Sequence, residues 1–158
     1  MNLRLIAAGT RMPEWIQQGY NEYAKRLSHD YKLELVEIPL GQRSGGDSVR
    51  AMEKEGERMQ ASIASMGAHP FIVALQVGGK ALTTEQLAQF LQLRARDGRH
   101  VAFCIGGPDG IAPTIDAQAE LRWSLSSLTL PHALVRVIVA EALYRAVSVI
   151  KQHPYHRA

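Results

Sequence analysis

The sequence predicts an α/β domain: a mainly parallel sheet with helices on both faces. Three observations carry this. Asn2 to Ala8, Phe71 to Val77 (FIVALQV) and Val101 to Ile105 (VAFCI) are short, nearly unbroken apolar runs, as expected of strands buried on both faces. Segments with a helical apolar stripe alternate with them. Gly or Pro punctuates most of the switches. With 158 residues the chain has the length of one domain, 1–158, able to bury roughly two thirds of its unfolded surface in a single core.

After the first strand, Gly9-Thr10 turns the chain. Pro13 and Glu14 then open a helix, since Pro loses nothing at a first helical position and Glu suits the positive helix end. Ile16, Tyr20, Tyr23 and Leu27 supply its apolar stripe. Leu33 to Pro39 (LELVEIP) alternates apolar and acidic residues and reads as a strand with one wet face, nearer the sheet edge. The loop Leu40 to Ser48 (LGQRSGGDS) has no apolar pattern; it is either a plain linker or a lid carrying Arg43 to a substrate. Asp47 or Ser48 caps a helix whose face is Val49, Met52, Met59, Ile63 and Met66. Gly78-Gly79-Lys80 closes the Phe71 strand. Thr83 and Gln86 have capping-box spacing, and Leu87, Phe90 and Leu91 form the next helical face. After Val101 to Ile105 come GGPDG (Gly106 to Gly110), a short helix over Ile111 to Glu120, a strand Leu121 to Ser124, and a long helix from Ala133 to Ile150.

Arg136, Glu141 and Arg145 interrupt the one long apolar run, and the N-terminal apolar run is too short for a signal segment. A cytoplasmic protein with no membrane association is expected. The single cysteine, Cys104, excludes an internal disulfide and a multi-cysteine metal site and reads as a buried, inert thiol. No metal-ligand pattern is present, so no metal is expected. The formal net charge is +3, and the excess is concentrated late. From Ser124 onward Arg136, Arg145, Lys151 and Arg157 with His132, His153 and His156 face one acid, Glu141. An anionic partner fits that distribution.

In parallel sheets ligands bind beyond the carboxyl ends of strands, here after Leu75, Ile105 and Ser124. GGPDG is a poor phosphate cradle. Pro108 deletes a backbone donor, no Gly-Lys-Ser/Thr follows, and Asp109 at about 4 Å from a phosphate would cost roughly 4 kcal/mol. One backbone hydrogen bond returns less than that, which disfavours a nucleotide hydrolase. The loop is either a tight structural turn or a place where backbone approaches a flat uncharged group such as adenosine, with an acid that tolerates a cation. S-adenosylmethionine has both features. Leucines and hydroxyls alternating from Ser124 to Pro131 can wrap an adenine or lead irregularly into the next helix. That helix is apolar almost all round and must be buried, centrally or against a second subunit.

GGPDG, SLSSLTLPH, VRVIVAEALYRA and the terminal HPYHRA together closely resemble the ribosomal RNA large-subunit methyltransferase H family, a minimal branch of the SPOUT class of knotted methyltransferases. The resemblance runs from LRLIAAGTRMPEWI to the end. It implies a C-terminal deep trefoil knot, a homodimer, S-adenosylmethionine as cofactor, and methylation of N3 of a pseudouridine in 23S rRNA within the assembled ribosome. By matching positions it implies cofactor contacts at Leu75, Gly107, Ser126, Ser127, Leu128, Thr129, Leu130 and Pro131. Asp109 departs from the Glu of many relatives, and the loop around Arg43 matches nothing strongly.

Methyl transfer from a sulfonium needs positioning and loss of the N3 proton, not a metal or covalent nucleophile. The catalytic candidates are His132, Arg136, Tyr155 and His156. His132 has the alternative of capping a helix, and Arg136 that of pairing with an acid. Arg145, Lys151 and Arg157 are candidates for phosphate contacts to RNA. A non-catalytic RNA- or ribosome-binding module is the rival from another class.

Overall fold

The computed structural model describes residues 1–27, 30–43 and 45–157. In chain order the elements are β1 (Asn2–Ala8), α1 (Glu14–Ala24), β2 (Lys32–Ile38), α2 (Ser48–Ala64), β3 (Phe71–Ala81), α3 (Thr84–Arg96), β4 (Val101–Ile105), α4 (Pro113–Gln118), β5 (Leu121–Ser124) and α5 (His132–Ile150), with a 3-10 turn over Pro154–Arg157. The five strands form one sheet in the order β2-β1-β4-β3-β5, and every pairing is parallel. Strand order reverses direction between β1 and β4, the kind of switch that opens crevices at the carboxyl edge of such sheets.

The pleat divides the core in two. Leu3, Leu5, Ala7, Val73 and Phe103 point to the face covered by α1, α3 and α5, while Ile6, Ala8, Ile72, Ala102 and Cys104 point to α2 and α4. β4 therefore reads as a continuous apolar run and β1 as one broken only by Arg4, because both of their faces are covered. β2 is an edge strand, as its acidic alternation predicts, with Lys32, Glu34 and Glu37 outside the core. Burial raises the Cys104 thiol to about 12, so it stays protonated and inert.

Local signals set the helix ends. Asp47 accepts from the Arg50 amide at 3.0 Å to cap α2, and Thr83 with Gln86 makes the reciprocal capping box of α3. Three expectations are corrected. The α1 helix ends at Ala24, so Leu27 is buried beyond it rather than on its stripe. The inner face of α2 is Ala51, Glu55, Met59 and Ile63 with Gly56, leaving Val49 exposed. Small residues set this face because α2 packs tightly on α4: a side chain at Gly56 would begin 2.9 Å from Ala112 Cβ and Thr114 Oγ1. Gly78-Gly79 does not end β3, which runs on to Ala81 with a register shift against β5 between Leu75 and Lys80. Gly79 is needed there for close approach, since a Cβ would lie 2.6 Å from the Arg122 carbonyl oxygen.

One side of α5 is fully buried, and its other side, with Val137, Ile138, Glu141 and Arg145, is half-buried. Val139, Ala140, Leu143, Ala146 and Val147 are buried among residues of α1, α3 and the sheet. Among the described residues no helix is long and apolar enough to cross a membrane. Leu143 is 0 % exposed at the centre of this packing, so Leu143→Ala is expected to cost about 3 kcal/mol of stability. Urea unfolding followed by circular dichroism measures that loss.

Candidate functional site

The stretch of β3 just beyond its pairing with β4 and the segments following β4 and β5 converge on one cleft at the carboxyl edge of the sheet. Leu75, Gln76 and Val77 line it from β3, Ile105, Gly106, Gly110 and Ile111 from the end of β4 and its loop, and Leu125, Ser126, Leu128 and Leu130 from the loop after β5. Trp123 forms part of its floor, and His132 and Val135 of α5 complete it. Its walls are predominantly apolar, and no Lys or Arg lines it. A polyphosphate would find no counter-charge here, whereas a flat, uncharged ring meets aliphatic walls.

The loop after β5 is pinned by its own hydroxyls. Ser124 Oγ donates to the Ser126 carbonyl at 2.9 Å, and Ser126 Oγ accepts from the Leu128 amide at 3.0 Å. This local turn holds Leu128 out over the cleft, 70 % exposed. Ser127, Thr129 and Pro131 are exposed on the same loop without lining the cleft. On the other wall Gly107 and Gly110 form a bridge that closes the GGPDG turn. Gly107 faces away from the cleft: a side chain there would begin 2.9 Å from Leu40 Cδ2 and 3.1 Å from Glu55 Oε1. The Asp109 carboxylate is taken by Arg43 at 2.7 Å, which corrects the expectation that Asp109 is available to a cationic ligand.

His132 starts α5 without capping it by a side-chain hydrogen bond. Its Nε2 would lie 3.8 Å from a Cβ at Gly9, whose φ of +118° only glycine adopts readily. Arg136 stands one turn further along α5 and is 1 % exposed. It pairs with Glu37 of β2 and donates to the Gly9 carbonyl at 2.8 Å. Arg136 is therefore the structural partner of an acid, holding the ends of β1 and β2 under the first turn of α5.

The tail lies elsewhere. Tyr155 Oη donates to Glu141 Oε2 at 3.0 Å, and Arg145 Nη2 donates to the same oxygen at 2.8 Å. The Tyr155 ring packs on Tyr144 at a centroid distance of 4.6 Å and lies 5.0 Å from the Arg145 guanidinium. His156 Nδ1 is 3.3 Å from Ser148 Oγ. Lys151 lies 3.5 Å from Asp30, and Arg157 is exposed at the end of the 3-10 turn. At a rise of ~1.5 Å per residue, Ser148 is about 24 Å along α5 from His132. Within one chain, then, His132 and Arg136 belong to the cleft end of α5 and His156 to the opposite end, while the Tyr155 ring lies against the middle of the helix, at Glu141, Tyr144 and Arg145.

Several residues of these sites escape a reading by motif. Gln76 lines the cleft and donates to Asp116, which Arg122 also binds at 2.8 Å; the Arg122 and Gln76 hydrogen bonds hold the Asp116 carboxyl below its usual range. Glu37, Glu55 and Glu141 are the acidic partners of Arg136, Arg43 and Arg145. Only the i, i+4 spacing of Glu141 and Arg145 announces its pair in the sequence. Among the described residues no group of three or more His, Cys, Asp or Glu is placed to hold a metal ion.

A family model described as a predicted SPOUT methyltransferase matches residues 1–156. The chain belongs to the SPOUT methyltransferase family, and it is a methyltransferase. Over 158 residues it is 52 % identical to the ribosomal RNA large subunit methyltransferase H of Pseudomonas fluorescens, covering 99 % of this chain and 100 % of that protein. Among solved structures, a methylase family protein from Haemophilus influenzae is similar with a TM-score of 0.59 at 12 % identity, over 97 % of this chain and 69 % of that one. Another, from Neisseria gonorrhoeae, is similar with a TM-score of 0.56 at 13 % identity, over 90 % and 81 %. These two establish the likeness of fold.

Burial, then the Glu141 carboxylate, raise the Tyr155 phenol to about 12. A free phenol titrates near ~10. The docked tail thus has full support below about pH 10 and loses it as pH rises toward the docked value. Glu141→Gln is expected to move the Tyr155 titration down toward the free value. Ultraviolet tyrosinate absorbance, taken as a difference against Tyr155→Phe, reads that shift.

Proposed function

We propose that this chain is a methyltransferase that uses S-adenosylmethionine to methylate N3 of a pseudouridine in 23S rRNA, on the assembled ribosome in the cytoplasm. In this reading it is a single 1–158 domain, carries a C-terminal deep trefoil knot, and works as a homodimer. The observation that carries the cofactor assignment is the cleft itself: three strand-end segments converge on an apolar, phosphate-averse cavity beside the start of α5. Kinship with an enzyme named for ribosomal RNA supports the substrate class. The path of the chain from edge strand β5 to α5, which packs between α1 and α3, is compatible with the knot.

Bound S-adenosylmethionine supplies a methyl group already activated on a sulfonium. The residues of this chain then have three tasks. Leu75, Leu128, Leu130 and the Ser126 turn hold the adenosine between apolar walls, with Gly107, Ser127, Thr129 and Pro131 shaping the loops that present their backbone groups. His132, at the mouth of the cleft, stands where the N3 proton must leave. Arg136 positions it by fixing Gly9 and Glu37. Tyr155 and His156 place the base, with ring stacking worth roughly 1–3 kcal/mol, and Arg145, Lys151 and Arg157 meet phosphates.

The separation of about 24 Å along α5 between His132 and Ser148, the partner of His156, supports the homodimer in this reading: a tail from a second copy would complete the cleft.

Isothermal calorimetry of S-adenosylmethionine into the purified protein tests the cofactor assignment, and absence of binding would refute it. Tyr155→Ala is expected to lower methyl transfer by about tenfold or more, as loss of one stacking contact predicts, while cofactor affinity stays nearly unchanged. Transfer of labelled methyl to 70S ribosomes should exceed transfer to naked 23S rRNA. Equal or greater transfer to naked rRNA would remove the assembled ribosome from the proposal.

A further inference from the structure

The Gly-rich loop between residues 40 and 47 is the sequence motif that neither the cofactor nor the RNA assignment uses. Its Arg43 turns inward and joins three parts of the fold. Arg43 Nε donates to Asp109 Oδ2 of the GGPDG turn at 2.7 Å. Nη1 donates to Glu55 Oε2 of α2 at 2.8 Å and to the Gly41 carbonyl at 3.1 Å. Glu55 Oε2 also accepts from the Gly41 amide at 2.9 Å. Glu55 is 2 % exposed, and a carboxylate so deep is tolerated only with a cation and donors around it. Glu55 therefore fixes Arg43, and Arg43 fixes Asp109.

The turn held by this latch is also a wall of the cleft. On its outer side Gly107 sits directly against Leu40 and Glu55, with no room for a side chain. On its inner side Gly106, Gly110 and Ile111 line the cavity. The turn is thus seated between the latch and the cleft, and its seating sets the width of the cleft on that side.

We infer that Arg43 is a positioning residue for the cofactor, acting through Asp109 to hold the GGPDG turn at the separation from Leu125–Leu130 that the ligand requires. It touches no ligand itself. A planar guanidinium serves Asp109, Glu55 and the Gly41 carbonyl together, whereas an ammonium is a point charge without that fork. The inference rests on the cofactor reading given above.

The test is calorimetry of S-adenosylmethionine with the full chain as wild type, Arg43→Ala, Arg43→Lys, Asp109→Ala and the Arg43→Ala/Asp109→Ala pair, with thermal unfolding of each without cofactor. Arg43→Ala and Asp109→Ala should each weaken binding by about tenfold, and the double variant should bind no more weakly than Arg43→Ala, the non-additivity of residues acting as one unit. Arg43→Lys should restore part of the affinity. Arg43→Ala should lower the unfolding midpoint, because it leaves Glu55 buried without its cation, whereas Asp109→Ala keeps the Arg43–Glu55 pair and should weaken binding at a nearly constant midpoint. Unchanged affinity in Arg43→Ala, losses that multiply in the double variant, or a loss in Asp109→Ala that simply follows a falling midpoint would each overturn the inference. If the wild type itself takes no cofactor, the cofactor reading fails and this inference with it. Binding by the wild type with no change in Arg43→Ala overturns this inference alone.

Discussion

The need to bury the apolar surface of α5 governs the rest of the molecule. A helix with so little polar surface has to lie between other elements, and here α1, α3 and the sheet take that role. Once it is laid antiparallel to the strands, its start is committed to the carboxyl edge, beside His132 and the cleft, and its end to the amino edge, beside Lys151 and Asp30. Three polar residues on it have partners. Arg136 has Glu37 and the Gly9 carbonyl, Arg145 has Glu141, and Ser148 Oγ has the Arg145 carbonyl.

The same constraint separates two kinds of chemistry. At one end three strand-end segments make an apolar recess suited to an aromatic ring system. At the other, Arg26, Tyr144, Tyr155 and Arg145 form a cluster of cations on aromatic faces. The spacing along the helix keeps the two clusters apart within one chain, and for that reason the proposed homodimer is part of the catalytic proposal rather than an accessory to it.

Much of the fold is legible in the sequence because period and punctuation act locally. The runs of β1 and β4, the Asp47 cap, the Thr83–Gln86 box and the wet edge strand β2 all follow from residues within a few positions of each other. What escapes depends on distant neighbours. Gly79 looks like a strand terminator until the Arg122 backbone is seen against it, and Glu55 looks like a solvated charge until Arg43 folds back onto it. Likewise the site was legible as three strand ends, since that follows from parallel topology, but Gln76 and Gly9 carry no local mark of their positions. The pairing of Arg136 with Glu37, ninety-nine positions away, also has no local mark in the sequence.

The bulged, short and charged margins of the sheet bear on how copies of this chain can meet. Open strands invite another chain to add to them by backbone pairing, and natural sheets blunt that with brevity, irregularity and charge. One margin here is the four-residue β5, carrying Arg122 and next to the register shift of β3; the other, β2, presents Lys32, Glu34 and Glu37. Strand addition is disfavoured at both. Pairing of copies, as the proposed homodimer needs, is thereby steered to side-chain packing between helical surfaces, where register is set by shape and charge, and the chain is guarded against templated growth of its own sheet.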